Sequence, residues 1–296
     1  MIITEGKTKR IVSTDNPNEV LIETKDDLTG GDAAKKETIS GISIHKTTQT
    51  TNAFNLLSKA GIPSAYLRKE SENSFICESC DMLPLELVTR RFAWGSYLKR
   101  HPDLVSTKEA PHRFDSIQAE LFHKHAVVVP PLVESSSQME EGQARDAYLK
   151  DGVWKSGVFT DPYLETGEGT WKLHNPKAPI LDETTLLSID AMMSEEELRE
   201  LVEGIMIPTF ETLEKAWAGI QVEGSPVALV DMKIEVGRRK RDGKIVLADV
   251  IDNDSWRIWP GADPKRQLDK QCFREDAALS TVANNYELVA RLTDSF

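Results

Sequence analysis

Cysteine is scarce: Cys77, Cys80 and Cys272 are the only three in 296 residues. Their number and uneven spacing exclude a disulfide framework, and Cys77-x-x-Cys80 without a second pair reads as two ordinary thiols rather than a zinc or redox site. Long apolar runs are missing as well. No stretch approaches the roughly eighteen apolar residues of a membrane-spanning helix, and Met1-Ile2-Ile3-Thr4-Glu5-Gly6-Lys7 carries no apolar signal region. A soluble, cytoplasmic protein with no membrane partner is therefore expected. Basic residues are outnumbered, 36 Lys and Arg against 48 Asp and Glu, for a net charge of −12. That balance excludes a sequence-independent nucleic-acid binder, which needs cations to displace counterions. It leaves room for an anionic substrate, because a few basic groups focused in a cleft outweigh the global field.

What is present suffices for a sizeable core: 40% of the residues are apolar, and the length fits about two lobes. Ile2-Ile3, Arg10-Ile11-Val12 and Val20-Leu21-Ile22 read as short strands of a small antiparallel sheet, and Tyr66-Leu67 and Phe75-Ile76-Cys77 read as further strands. Ala53, Phe54, Leu57 and Ala60 predict a helix over 47–60 that stops at Gly61-Ile62-Pro63. From about His101 to Leu187 the chain is rich in Pro and Gly and has no sustained period, which predicts an irregular insertion at about 124–190. His123 and His125 are read there as exposed loop histidines, and Trp154 and Trp171 as residues that pack the insertion. Ser194-Glu195-Glu196-Glu197 fits a capping box, Pro208 should kink or restart the following helix, and a last helix is expected over 280–292 with Val282, Tyr286 and Val289 inward. The expected fold class is α+β, with lobes at 1–85 and 86–296.

The chemistry concentrates in Leu229-Val230-Asp231-Met232-Lys233-Ile234-Glu235-Val236. Strand alternation places Asp231, Lys233 and Glu235 on one face and Met232, Ile234 and Val236 on the other. A solvated surface is the ordinary explanation for such a face. Its partner, Ile245-Val246-Leu247-Ala248-Asp249-Val250-Ile251, is too apolar for that, and in even register Asp249 would fall on the face of Glu235. Carboxylates crowded there call for a divalent cation or a lysine among them, and a magnesium–phosphate site is expected. Gly6-Lys7-Thr8-Lys9 offers a turn with two lysines pointing the same way, suited to phosphate, although the same pattern is common at surface tips. Arg90-Arg91-Phe92-Ala93-Trp94-Gly95-Ser96 offers guanidinium, hydroxyl and N–H donors together; surface arginines on an edge strand explain it equally well.

Taken in order, these segments resemble the SAICAR synthase (phosphoribosylaminoimidazole-succinocarboxamide synthase) family. The motifs are Glu5-Gly6-Lys7-Thr8-Lys9, Thr29-Gly30-Gly31-Asp32, Leu83-Pro84-Leu85-Glu86 leading to Arg90 and Gly95-Ser96, the 229–235 strand, and Ala248-Asp249-Val250-Ile251-Asp252-Asn253-Asp254-Ser255-Trp256-Arg257. The form of the last motif, with Asp269-Lys270-Gln271, is similar to that of animal bifunctional enzymes. The resemblance covers nearly all of the chain outside 124–190. It implies a two-lobed fold with a mainly antiparallel N-terminal sheet and a cleft between lobes like that of kinases and ATP-grasp enzymes. It also implies ATP-dependent ligation of 5-aminoimidazole-4-carboxyribonucleotide (CAIR) with L-aspartate through an acyl phosphate. A related phosphotransferase and a non-catalytic nucleotide-binding protein are the alternatives.

By the same resemblance, Gly6, Lys7 and Lys9 contact the ATP phosphates, Met82 the adenine, and Lys124 is a further ATP contact. Glu235 and Asp249 hold magnesium, Lys233 bridges phosphate or carboxylate oxygens, and Arg90, Ser96 and Arg257 bind the ribonucleotide. Asp231 and Asp254 position groups or take a proton from the attacking amine. A homo-oligomer is compatible with the resemblance.

Overall fold

The computed structural model describes residues 1–30 and 35–296, so Gly31 and Asp32 of the Thr29-Gly30-Gly31-Asp32 motif lie outside the described residues. The chain forms two compact units, one of residues 1–83 with 208–296 and one of residues 84–207. This differs from the expected split into 1–85 and 86–296. The last third of the chain returns to the first unit because helix Leu279–Thr293 packs on helix Ile42–Lys59 and strand Ser225–Arg239 pairs with Cys80–Met82.

The first unit carries a five-stranded antiparallel sheet in the order Ile2–Glu5, Lys9–Ser13, Glu19–Thr24, Ser74–Glu78, Tyr66–Ser71. Ile22, Phe75 and Cys77 pack with Val246 and Ala248 of strand Ile245–Ala248. Burying an Ile or Phe in this way contributes about 1.5–3 kcal/mol per side chain. Helix Ile42–Lys59 begins five residues before the expected Thr47. The reason is a cap supplied from a distant part of the chain. Gly41 takes a left-handed φ of 81°, and the carboxylate of Asp26 accepts the N–H groups of Gly41 and Ser43 at 3.0 Å each. Local sequence carries no trace of that cap.

Gln49 fastens three elements together: its Nε2 donates to the Tyr286 carbonyl at 3.0 Å and its Oε1 accepts the Asn253 N–H at 2.8 Å. This ties the 249–255 loop to both helices. Strand Ser225–Arg239 organises the rest. Val227–Met232 pairs antiparallel with Trp256–Pro260, Glu235–Arg238 with Ile245–Ala248, and Gly237–Arg239 with Cys80–Met82.

The second unit is an antiparallel sheet in the order Leu85–Phe92, Arg113–His123, Tyr163–Glu165, Thr170–His174, Thr185–Asp190. The expected irregular insertion is therefore largely regular, with a further helix at Glu141–Tyr148. Its strands have only two to six residues, too short to show a period in sequence. His123 ends the eleven-residue strand Arg113–His123 and is buried, not an exposed loop residue. Ser194 and Glu197 form the expected capping box. The helix then widens into an i→i+5 turn over Leu201–Met206 before Ile207–Ala218, where Pro208 has no N–H to continue a regular ladder. Among the described residues no helix is long and apolar enough to cross a membrane.

Candidate active site

Along strand Ser225–Arg239 the charged face is drawn into the fold rather than left open to solvent. Asp231 is buried and Lys233 and Glu235 are half-buried, while Met232, Ile234 and Val236 are buried on the opposite face. Asp231 lies across from Arg257 in the ladder, and its Oδ2 accepts from Arg257 Nη1 at 2.5 Å. The Lys233 N–H donates to the Ser255 carbonyl at 2.7 Å, which holds this strand against the 249–255 loop.

The register corrects one expectation. Glu235 stands opposite Ala248, not Asp249. Asp249 leaves the strand at a φ of 65°, in the left-handed region, so its carboxylate is aimed by a turn rather than by the pleat. It forms an ion pair with Lys9, at the start of strand Lys9–Ser13. The anticipated combination of carboxylate and lysine is thus present at Asp249. Among the described residues no three His, Cys, Asp or Glu side chains group as a metal-ligand set.

Gly6 closes the preceding turn by donating its N–H to the Lys9 carbonyl at 2.9 Å, with Lys7 exposed between them. A Cβ at Gly6 would meet only that carbonyl, at 3.7 Å, so the packing itself would accept a side chain there. Met82 is 44% exposed beside Gly237, where a Cβ would come within 2.9 Å of Cys80 Cβ and 3.1 Å of Met82 Sδ. Only glycine lets the two strands approach so closely.

Asp254 has a tyrosine hydroxyl and two lysines around it. Tyr286 Oη donates to its Oδ1 at 2.5 Å, Lys270 Nζ donates to its Oδ2 at 2.9 Å, and the buried Lys46 Nζ lies 4.0 Å from Oδ2. Burial alone would raise its pKa; Lys46, Lys270 and the Tyr286 hydroxyl outweigh that and hold it well below the usual carboxylate range. Neighbouring Asp252 behaves oppositely, pushed up to about 6 by burial and by the Asp254 charge. Asp269 is also pushed up to about 6 by burial, against the pull of Arg257. A carboxylate held as firmly ionised as Asp254 is a poor proton acceptor.

In the second unit Arg90 is buried on strand Leu85–Phe92, and its Nε donates to Glu120 Oε2 at 2.5 Å. Arg90 is therefore not a surface arginine on an edge strand. Ser96 opens helix Ser96–Arg100 after Gly95, whose φ of 61° and ψ of −128° suit glycine. Lys124 follows the long strand, and its N–H donates to the Pro84 carbonyl at 2.9 Å.

The structure thus brings together Lys9 with Asp249, Asp231 with Arg257, and Asp254 with Lys46, Lys270 and Tyr286. Tyr286 was legible only as an inward core residue, although a buried tyrosine hydroxyl must find a partner. Lys270 stood in a quoted motif without a role, and Glu120 and Arg100 gave no local signal.

Lysines and carboxylates gather along one strand and its neighbouring turns, a chemistry suited to phosphate-bearing, anionic groups. The SAICAR synthetase family profile matches residues 2–292. A phosphoribosylaminoimidazole-succinocarboxamide synthase of Chloroflexus aggregans is 34% identical over 298 residues, covering 99% of this chain and 95% of its own length. Multifunctional protein ADE2 of Gallus gallus is 35% identical over 294 residues, and the match covers 97% of this chain but 57% of that protein. The chain thus spans little more than half of that multifunctional relative. A SAICAR synthetase (type 2) solved in complex with ADP is similar at a TM-score of 0.66 and 25% identity, covering 98% of this chain and 96% of that one. The chain belongs to the SAICAR synthetase family.

Proposed function

We propose that the chain ligates CAIR with L-aspartate at the expense of ATP, giving SAICAR, ADP and phosphate in de novo purine biosynthesis in the cytoplasm. A carboxylate is a poor acyl donor. Transfer of the γ-phosphoryl group to the CAIR carboxylate makes an acyl phosphate, the aspartate amine attacks its carbonyl carbon, and phosphate leaves. The protein's contribution is alignment of anionic groups and cancellation of their charge. The observation that carries this reading is the Asp231-Lys233-Glu235 face, buried at Asp231 and half-buried beyond it, with Lys9 paired to Asp249 just after the partner strand.

In this reading Gly6, Lys7 and Lys9 contact the ATP phosphates, with the glycine keeping the face of the turn clear. Lys124 adds a further phosphate contact, and Met82 lies against the adenine. Lys233 bridges phosphoryl and carboxylate oxygens. Arg90, Ser96 and Arg257 receive the ribonucleotide, and Asp231 fixes the Arg257 guanidinium. Asp254 orients the attacking amine, whose proton passes to a phosphoryl oxygen.

Glu235 and Asp249 both carry carboxylates, the hard oxygen donors that magnesium takes. These two carboxylates would hold the ion, which when bound supplies charge neutralisation at the phosphoryl oxygens.

The test is an ADP-release assay with ATP, magnesium, CAIR and L-aspartate, omitting each component in turn. Release that needs all four, with a succinocarboxamide product, is expected. Release that persists without CAIR or aspartate would identify a phosphotransferase with another acceptor. ATP binding without any release would leave a nucleotide-binding protein.

A further inference from the structure

The loop that carries Asp254 is held by a closed circuit of hydrogen bonds. Gln49 Oε1 accepts the Asn253 N–H at 2.8 Å, and in the next residue Asp254 Oδ1 accepts from Tyr286 Oη at 2.5 Å. The Tyr286 carbonyl closes the circuit by accepting from Gln49 Nε2 at 3.0 Å. Three separate stretches of chain meet in it: helix Ile42–Lys59, the loop, and helix Leu279–Thr293. Asp252 Oδ1 also accepts the Asp254 N–H at 2.8 Å, so the main chain and the carboxylate of Asp254 are restrained separately.

Exposure divides the members of the circuit. Gln49 and Tyr286 are 0% exposed, whereas the Asp254 side chain is 21% exposed, so of these three side chains only the carboxylate is open to a ligand. An ionised carboxylate accepts at about four lone-pair sites. Among the described residues Tyr286 takes one on Oδ1 and Lys270 one on Oδ2, which leaves acceptor capacity on both oxygens. The last torsion of an aspartate has a broad, shallow energy, so the plane of the carboxylate is set only where its oxygens are pinned. We propose that Tyr286 and Gln49 are positioning residues for Asp254: Tyr286 sets the carboxylate plane and Gln49 sets the place of the loop, so that the remaining lone pairs meet the amine of L-aspartate. This rests on the reading of Asp254 as the residue that orients the attacking amine.

The experiment measures kcat and the KM values for L-aspartate, CAIR and ATP in the full chain for Tyr286→Phe, Gln49→Met and Asp254→Asn. The assay temperature is one at which thermal melts show each variant folded. Tyr286→Phe should raise KM for L-aspartate about tenfold while KM for CAIR and for ATP stays within about twofold, because only the amine uses the oriented carboxylate. Gln49→Met keeps the length of the side chain, removes both of its hydrogen bonds and should give the same split. Asp254→Asn should raise KM for L-aspartate at least as far. Equal rises in all three KM values would mark the circuit as structural and overturn the proposal. A split in one of the two variants alone would overturn the role of the other residue. If Asp254→Asn raises KM for L-aspartate and neither Tyr286→Phe nor Gln49→Met does, whatever happens to kcat, the positioning role fails and the reading of Asp254 stands. If Asp254→Asn also leaves it unchanged, that reading fails too.

Discussion

Tyr286 and Asp254, thirty-two residues apart in sequence, are joined by a hydrogen bond of 2.5 Å from the phenol to the carboxylate. The tyrosine sits on helix Leu279–Thr293, and the aspartate sits in the loop held by Gln49. With Lys270 on the other oxygen, the carboxylate is fixed from two directions. One end of the proposed site is therefore set by a helix that carries no other residue of it.

Tyr286→Phe removes this one donor and leaves the ring. Stability at pH 7 should fall by about 1–3 kcal/mol, the range for a hydrogen bond to a charged group. Asp254 is held ionised in the folded state, so its contribution is present above the unfolded carboxylate value of about 4 and is lost as pH falls below it. Urea unfolding of the two proteins at pH 7 and at pH 3 measures both effects. Unchanged stability of Tyr286→Phe at pH 7 would contradict the pairing.

Asp269 should act with the opposite sign. Burial raises its folded pKa to about 6, above the unfolded value of about 4, so the folded state holds an extra proton between those values. Its contribution is complete below about pH 4 and is lost as pH rises through 6, to the extent of roughly 3 kcal/mol. His123 runs the other way: burial and its neighbour His125 lower its pKa to about 4, and its contribution is lost as pH falls from about 6.5. The two slopes oppose each other in the wild type, so only a variant isolates one of them. Asp269→Asn should gain on the wild type steadily between pH 4.5 and 7 in urea unfolding. A constant difference across that range would rule the assignment out.

Gly237→Ala places a Cβ within 2.9 Å of Cys80 and 3.1 Å of the Met82 sulfur. The cost of overpacking is about 1–3 kcal/mol, and relief comes by displacing strand Cys80–Met82. If Met82 contacts adenine, KM for ATP should rise while KM for CAIR holds. Equal changes in both would point to general loosening instead.

Glu235→Gln keeps the shape of the side chain and removes its charge. Turnover should fall by about a hundredfold or more, and half-saturation should need a higher magnesium concentration. A magnesium titration of ADP release gives both numbers, and near-normal turnover would sink the metal assignment.

Much of the architecture could be read from the residues because long elements repeat a period. The strand carrying Asp231, Lys233 and Glu235 alternates cleanly, and helix Leu279–Thr293 turns Val282, Tyr286 and Val289 inward as expected. What escaped was set by distant partners. Asp26 caps a helix fifteen residues away, Glu120 pairs with Arg90 where it is buried, and the hairpin faces Glu235 with Ala248 while Asp249 turns off in a left-handed conformation. The short strands after residue 124 are fixed by their neighbours in the sheet, since two to six residues carry too little pattern of their own.

The return of the chain to its first unit at Pro208 has a consequence for synthesis on the ribosome. Residues 84–207 are contiguous and are all available once the chain has passed Ile207. Helix Ile42–Lys59 is made early, yet it must wait for Leu279–Thr293 before its buried side is covered. Domains fold as units during translation. The amino-terminal part of this polypeptide therefore lacks a partner until its last helix is made, and a nascent chain stalled before residue 279 would expose the apolar face around Leu28 and Ile42 to chaperones.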